Sequence, residues 1–386
     1  MRPIGRLGAD SPGGLALPSA APSMTTLYAP RGVAFNQNRL AVCDSGNHRV
    51  LLWSPPFDRS GPPADVVLGQ PDDTTEGPLA DGRGAENGVH LPTGILMVEN
   101  RLVVADAWNH RVLVWNRIPD TSDTPPDYAI GQPDLTSTLP NRGGAPRLDT
   151  LNWPYGIAWI AGRFHVADTG NRRVLIWDEF PEADRPADQL LGQPTPAHHE
   201  ENRGGAVGPR SFRWPHDLAG NAEWLFIADA GNHRVLGWRG HPVDDRPADV
   251  VLGQADMSSA YEFPYDAQGP RRLRFPYGLA IWRNWLAVAD TANNRVLFWH
   301  VGLIESCNSP ALAVLGQPDF SSNGENRWDS VAPDSLCWPY GIAFHHGRLA
   351  VADSGNNRIT IWDCRDLLQQ EPADVSGHTG SSRIDL

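Results

Sequence analysis

Lysine is absent from the chain. All 32 basic residues are arginine, and together with 45 acidic residues they give the 386-residue chain a formal net charge of −13. An acidic chain whose positive charge is thinly spread is poorly suited to holding phosphate backbones, so we expect no nucleic-acid partner. No apolar run approaches the roughly 20 residues that a helix needs to span a bilayer, so we expect no membrane partner either.

Cysteine is also scarce. Cys43, Cys307, Cys337 and Cys364 lie far apart and form no C-x-x-C pair. The first thirty residues contain no continuous apolar segment of the kind that a secretory signal needs. These two absences favour a cytoplasmic protein whose cysteines are reduced and mostly buried.

Turn-forming residues are abundant instead. The 38 glycines and 35 prolines argue against long helices, while a hydrophobic fraction of 40% is enough for a large core. Length alone predicts about two or three domains of ordinary size. Internal repeats predict a different organisation.

One phrase occurs six times, as CDSGNHRVLLW, ADAWNHRVLVW, ADTGNRRVLIW, ADAGNHRVLGW, ADTANNRVLFW and ADSGNNRITIW. Its aspartates are spaced by 62, 62, 61, 61 and 63 residues and stand at Asp44, Asp106, Asp168, Asp229, Asp290 and Asp353. A second phrase, P-x-G, keeps this spacing with its prolines at Pro30, Pro92, Pro154, Pro215, Pro276 and Pro339. A third phrase, LGQ or IGQ, occurs five times. A period this regular predicts a repeat architecture.

Each unit contains four short apolar runs separated by turn residues, which in the third unit are GIAWI, RFHVAD, RVLIW and DQLLGQ. Such runs are typical of β-strands. A single four-stranded antiparallel unit cannot bury both of its faces, whereas six units arranged radially bury them against each other. The sequence therefore predicts an all-β, six-bladed β-propeller, with a linear stack of capped units as the competing architecture.

The two ends of the chain complement each other. Gly8 lies 22 residues before Pro30, close to the 23 residues that separate each LGQ glycine from the next P-x-G proline. We expect a single propeller over residues 1–386, with 29–364 forming the six repeats. Residues 1–28 then supply or share the outer strand of the sixth blade and close the ring, and 365–386 form a tail whose segment 372–375 is the other candidate for that strand.

The six D-x-x-N-[HNR]-R-[VI] phrases with their P-x-G turns resemble NHL repeats, and the LGQPD phrase is similar to a bacterial branch of that family. The resemblance covers residues 29–364. It implies a six-bladed propeller and three kinds of function: protein-interaction scaffolds, RNA-binding propellers attached to other domains, and lyases related to peptidylglycine amidating enzymes. Because one fold hosts many functions, the site must decide between them.

Residues that recur in every blade are expected to be architectural. The Asp and Asn of D-x-x-N suit tight turns, and the following Arg can brace a carboxylate or carbonyl with its planar fork. The repeated His48, His110 and His233 are replaced by Arg or Asn in other blades, so we do not expect them to bind a common metal. The N-R-G-G loops at 141–144 and 202–205 fit either surface turns or anion sites, and the turn is favoured.

The position after each P-x-G proline is the one that varies between blades. It carries Arg31, Thr93, Tyr155, His216, Tyr277 and Tyr340, and in blade four the glycine is replaced by Asp217. We expect these residues to converge on one mouth of the central channel and to form a ligand-binding site. His216 is the candidate general base, Asp217 is a further catalytic candidate, and Arg31 can hold a carboxylate or a developing oxyanion. Alternatively, the tyrosines simply plug the channel.

The amidating lyases can be compared at the positions of their zinc ligands, which are histidines that follow blade-start prolines in alternate blades. Here His216 occupies one such position, but Thr93 and Tyr340 occupy the others. Because catalytic zinc needs about three protein ligands, a zinc lyase of that type is rejected. No cofactor is evident from motifs, and a channel metal of a different geometry stays open.

The leading hypothesis is therefore a soluble binding or scaffold protein that takes a small molecule or a partner peptide at the channel mouth. A protein partner fits the same surface, and the oligomeric state is not predicted. The alternative is a lyase or hydrolase with His216 as base, Arg31 as electrostatic clamp and a tyrosine as acid. Whether the protein is an enzyme is left open.

Overall fold

The computed structural model describes residues 1–10, 21–262 and 267–369. Within them lie six four-stranded antiparallel sheets, one for each sequence repeat. Neighbouring inner strands contact each other all around the ring, including those of the sixth and first blades. The predicted all-β, six-bladed propeller is confirmed, and a linear stack is excluded because the first and last repeats are in contact. The predicted tail segment 372–375 lies outside the described residues.

Four strands build each blade, from the channel outward. The inner strands are Gly32–Phe35, Pro92–Val98, Pro154–Ile160, Pro215–Gly220, Pro276–Trp282 and Pro339–His345. The second strands are Leu40–Asp44, Arg101–Asp106, Arg163–Asp168, Trp224–Asp229, Trp285–Asp290 and Arg348–Asp353. The third strands are Arg49–Trp53, Arg111–Trp115, Arg173–Trp177, Arg234–Arg239, Arg295–His300 and Arg358–Asp363. The outer strands of blades one to five are Val66–Leu68, Tyr128–Ile130, Gln189–Leu191, Val250–Leu252 and Ala313–Leu315.

Helices in the described residues are short. Six single-turn 3₁₀ helices join the second and third strands, at Ser45–Asn47, Ala107–Asn109, Thr169–Asn171, Ala230–Asn232, Thr291–Asn293 and Ser354–Asn356. Further 3₁₀ turns are Pro140–Gly143, Glu201–Gly204, Val301–Leu303 and Glu325–Trp328, and the α-helical turns are Pro78–Gly82 and Arg365–Leu368. In this part of the chain no helix is both long enough and apolar enough to cross a membrane.

The outer strand of the sixth blade comes from the N-terminus. Arg2–Leu7 pairs antiparallel with the third strand of that blade, as predicted, with Leu7 opposite Ile359. On its other side, Arg6 exchanges two backbone hydrogen bonds of 2.9 Å with Arg59 and Gly61 of blade one. The N-terminal strand therefore closes the ring and bonds to the blades on both sides of the closure.

The repeated Asp and Arg form a buried ion pair in every blade, with N–O distances of 2.6 to 2.8 Å. In blade three, Arg173 donates from Nε to Asp168 and from its two Nη atoms to the carbonyls of Pro196, Arg147 and Thr150. In blades one to five the guanidinium group thus joins the loops that precede and follow its blade, whereas Arg358 in blade six bonds the preceding loop. A lysine would not reach several acceptors with fixed geometry, so the repeat requires arginine at this position.

The Gln of the LGQ phrase has a structural role that the sequence pattern did not reveal. In blade one, Gln70 donates from Nε2 to the carbonyls of Asn47, His48 and Gly77, and the other four copies make similar bonds. This amide holds the loop that returns to the next blade. The loops that carry the channel mouth are therefore fixed to the repeat framework.

Candidate functional site

The inner strands surround a central cavity of about 390 Å³. All seven predicted site residues line it: Arg31, Thr93, Tyr155, His216, Asp217, Tyr277 and Tyr340. They are positioned by the tight approach of adjacent inner strands, which the P-x-G glycines permit. A Cβ on Gly94 would lie 2.1 Å from the carbonyl oxygen of Tyr155, closer than any real contact.

Arg31 reaches from blade one across the channel mouth. Its Nη1 donates a hydrogen bond to the hydroxyl of Tyr155 in blade three. Its guanidinium carbon also lies 5.1 Å from the ring centroid of Tyr340 in blade six and 5.9 Å from that of Tyr155. Such distances are typical of cation–π contact. The guanidinium group of Arg31 is therefore held between tyrosine side chains of blades three and six.

Four aromatic rings follow one another around the mouth beside this cation. The His216 ring centroid lies 4.1 Å from that of Tyr155 and 4.2 Å from that of Tyr277. The next pair, Tyr277 and Tyr340, is 4.9 Å apart. The mouth is thus a nearly continuous aromatic wall from blade three to blade six, and the tyrosines surround the cavity as side walls.

His216 is buried, and its Nδ1 has no hydrogen-bond partner among the described residues. Burial and the nearby charge of Arg31 lower the pKa of His216 to about 3. Because its imidazole is neutral at pH 7, one ring nitrogen carries a proton and the other accepts. Because the pKa of His216 lies far below neutral pH, its imidazole takes up a proton poorly, and His216 is a weak general base.

Asp217 occupies the position that is glycine in the other blades. Its Oδ1 accepts a hydrogen bond of 2.9 Å from the backbone N–H of Leu218, and its Oδ2 accepts one of 2.8 Å from Leu279 in blade five. Burial raises the pKa of Asp217 to about 7, although these two N–H groups act in the opposite direction. The carboxyl group therefore joins blades four and five and titrates near neutrality.

Thr93 differs from the aromatic mouth residues. It is almost fully buried, and its hydroxyl donates to the carbonyls of Pro154 and Tyr155 at 3.3 and 3.4 Å. This hydroxyl therefore joins blades two and three. Thr93 thus resembles Asp217, because the polar group of each is hydrogen-bonded to the backbone of the neighbouring blade.

Below the polar ring, the channel wall is apolar. Its upper belt consists of Val33, Ile95, Ile157, Leu218, Leu279 and Ile342, followed by Ala34, Leu96, Ala158, Ala219, Ala280 and Ala343. Pockets of this size with few polar groups at one end suit small organic ligands.

A family model of the NHL repeat matches residues 27–51, the phrase that recurs in all six blades. The first blade therefore contains a sequence that matches the NHL repeat. NHL repeat-containing protein 2 of Bos taurus is 26% identical over 360 residues, covering 84% of this chain and 45% of the relative. The Homo sapiens protein of that name is 25% identical over 372 residues, covering 87% and 47%. The chain spans about half the length of these curated relatives.

Two lyase structures are among the solved structures to which this chain is similar. A streptogramin B lyase structure shows 10% identity and a TM-score of 0.44, covering 89% of this chain and 95% of that one. Virginiamycin B lyase from Staphylococcus aureus shows 10% identity and a TM-score of 0.43, with coverages of 90% and 97%. Likenesses at this level carry no argument about activity.

The repeated histidines have a structural role. His110 accepts at Nδ1 a hydrogen bond of 2.9 Å from the backbone N–H of Trp153, and Asn294 does the same for Trp338 with its Oδ1 at 2.8 Å. The two tryptophans precede inner-strand prolines and have φ values of 55° and 53°, uncommon for residues other than glycine. Burial lowers the pKa of His110 and keeps it an acceptor. The structural interpretation of these positions agrees with this geometry.

Metal-ligand clusters are not found in residues 1–10, 21–262 and 267–369, where no three His, Cys, Asp or Glu side chains come together suitably. His165 is buried in a second strand, and burial lowers its pKa to about 4. His345 ends the inner strand of blade six.

The N-R-G-G loops form 3₁₀ turns whose arginines are paired with carboxylates. Arg142 bonds Asp149 at 2.9 Å and Asp184 at 2.5 Å, and Arg203 bonds Asp245. These charges hold neighbouring loops together and leave no free cation at the turn. The turn interpretation fits this geometry better than an anion site.

An aromatic rim around the mouth was missed by sequence reasoning. The residues before the inner-strand prolines are Ala29, Leu91, Trp153, Trp214, Phe275 and Trp338. Trp153 and Trp338 are 39% and 43% exposed. Trp108 is 50% exposed, and its ring centroid lies 6.5 Å from that of Trp153. The recurrence of W-P-Y-G was the available signal, but it did not show that the indoles point outward. Exposed tryptophans are enriched at interfaces.

Proposed function

We propose that this NHL propeller binds a small molecule, or the end of a partner peptide, in the mouth of its central channel. The fold supports a binding or scaffold role in general. The observation that carries the finer proposal is the buried Nδ1 of His216, which has no hydrogen-bond partner among the described residues. His216 lines the same cavity as Tyr277 and Tyr340.

Unpartnered polar groups in a structure call for a ligand or ordered water, because an unmade hydrogen bond at a buried group costs about 1–3 kcal/mol. Around the mouth, the exposed Trp108 and Trp153 offer apolar area to the rest of a peptide. Because the cavity is near the lower end of the size range of ligand pockets, only a small molecule or a terminal side chain fits inside.

Part of the proposal is a reducing, cytoplasmic setting. Cys43, Cys337 and Cys364 are buried and all four cysteines are free thiols. Such thiols persist most readily in a reducing compartment.

Binding in the channel can be tested by a substitution that fills the channel with a large side chain. Ala343 lines it and is partly exposed to it, whereas Ala206 is exposed on a surface loop. We expect compounds that raise the melting temperature of the wild type to lose this effect on Ala343→Phe and to keep it on Ala206→Phe. If Ala343→Phe responds as the wild type does, ligand binding in the channel is refuted.

A catalytic version of the proposal is favoured by one specific observation, the pKa of Asp217 near neutrality. A general base works best when its pKa lies near the working pH, so Asp217 fits this role better than His216. Arg31 would then stabilise a developing negative charge and a tyrosine would donate a proton. Turnover that is lost on Asp217→Gly, which restores the residue of the other blades, would support this version. Retention of full turnover would contradict it.

A further inference from the structure

Arg31 is a cation without a counter-ion. Among the described residues it forms no ion pair, and its hydrogen bond goes to the neutral phenol of Tyr155. Arginines nearby are compensated: Arg274, two residues before the blade-five proline, lies 2.7 Å from Glu262, and Arg213 lies 3.1 Å from Glu201. The partly buried guanidinium group of Arg31 is therefore not neutralised by a described carboxylate.

Asp217 does not supply the missing charge. Its two oxygens accept backbone N–H groups of Leu218 and Leu279, and Arg31 contributes nothing to its pKa. The carboxyl group is also partly protonated near pH 7. The positive charge of Arg31 at the channel mouth is therefore not neutralised by Asp217.

The other free groups at the mouth are hydrogen-bond donors. Burial raises the pKa of Tyr277 and of Tyr340, so both hydroxyls keep their protons. His216 is neutral and carries one N–H. One fixed cation surrounded by neutral N–H and O–H donors is suited to an anionic oxygen group.

We propose that the group bound at this mouth is a carboxylate carrying an apolar body, in a small organic acid or at the C-terminus of a peptide. This inference rests on the proposed function. The planar fork of Arg31 matches a carboxylate in geometry and in charge, and the aliphatic belt below it takes the apolar part. Phosphate fits less well, since it carries more charge and the described cavity wall offers no second cation.

Calorimetric titration of the full chain with matched probes tests this. N-acetylphenylalanine is compared with its amide, and a tripeptide ending in Phe with its C-terminal amide, while inorganic phosphate serves as a third anion. A hydrogen bond to a charged group is worth about 1.5–3 kcal/mol, so we expect at least about tenfold tighter binding of the acids. Preference for the free acid over the tripeptide identifies the small molecule as the source, and the reverse identifies the peptide.

Arg31→Gln should reduce the preference for the acids to about one, Arg31→Lys should keep part of it, and Arg274→Gln should leave it unchanged. Equal binding of acid and amide to the wild type would overturn the carboxylate while leaving channel binding intact. Tighter binding of phosphate than of the acids, or no saturation by either acid in the millimolar range, would also overturn it. A different result would refute the proposed function itself: compounds would raise the melting temperature of Ala343→Phe as much as that of the wild type.

Discussion

Closure of the ring by the N-terminal strand can be tested at a single side chain. Leu7 is 1% exposed and belongs to a cluster that joins the sixth and first blades, with Phe57 and Ile359 among its members. Leu7→Ala removes this contact and leaves a cavity, which costs about 2–5 kcal/mol in well-packed cores. For a chain of 386 residues, a loss of about 3 kcal/mol lowers the melting temperature by roughly 4 °C.

Leu139→Ala is the matched control, because Leu139 is 62% exposed and its truncation should change stability by no more than about 0.5 kcal/mol. Differential scanning calorimetry of both variants measures the difference. Deleting residues 2–12 should have a larger effect and promote aggregation, since it exposes the edge of the third strand of blade six. Equal melting temperatures for Leu7→Ala and Leu139→Ala would refute closure by this strand.

Two further predictions concern the framework and the mouth. Arg173→Met leaves Asp168 buried without its cation, so we expect denaturant titration to show a loss of about 3–5 kcal/mol, and a loss below about 1 kcal/mol would contradict the bracing role. Asp217 has a higher pKa when folded than when unfolded, so the folded state binds more protons. Its contribution to stability therefore falls as the pH rises from about 4 to 7, by on the order of 4 kcal/mol, and then levels off. Asp217→Gly should flatten this slope in melting curves taken across that range, and an unchanged slope would show that Asp217 does not titrate as described.

The fold could be predicted because the same sequence phrase occurs once in each of the six blades. Six copies of one phrase establish the period, and the 22-residue offset between Gly8 and Pro30 locates the missing strand. Blade six also shows the consequence of its separate outer strand: its Trp362 donates to Thr360 Oγ1 at 2.8 Å, whereas Trp177 in blade three donates to the carbonyl of Arg185 in the third-to-outer link.

That the seven residues would lie together at the central cavity was also predictable, but their geometry there was not. Variation between equivalent blades pointed to Arg31 and His216. Pattern alone does not say how far a long side chain reaches, and Arg31 crosses from blade one to Tyr155 of blade three. Nor does it say that Thr93 turns its hydroxyl to the backbone, or that burial makes His216 a weaker base than Asp217.

The outward-facing tryptophans were missed for a related reason. The sequence W-P-Y-G gives Trp153 and Tyr155 equal weight, but a positive φ at Trp153 directs its indole away from the channel while Tyr155 stays inside it. That φ is maintained by a hydrogen bond to His110 in the preceding blade. A contact between side chains of different repeats cannot be read from either repeat alone.

Native mass spectrometry of the full chain, purified gently from the cells that produce it, tests channel binding most directly. The account predicts a small-molecule or peptide adduct on the wild type and on Ala206→Phe that is absent from Ala343→Phe. The same adduct on all three proteins, or on none of them, would contradict it.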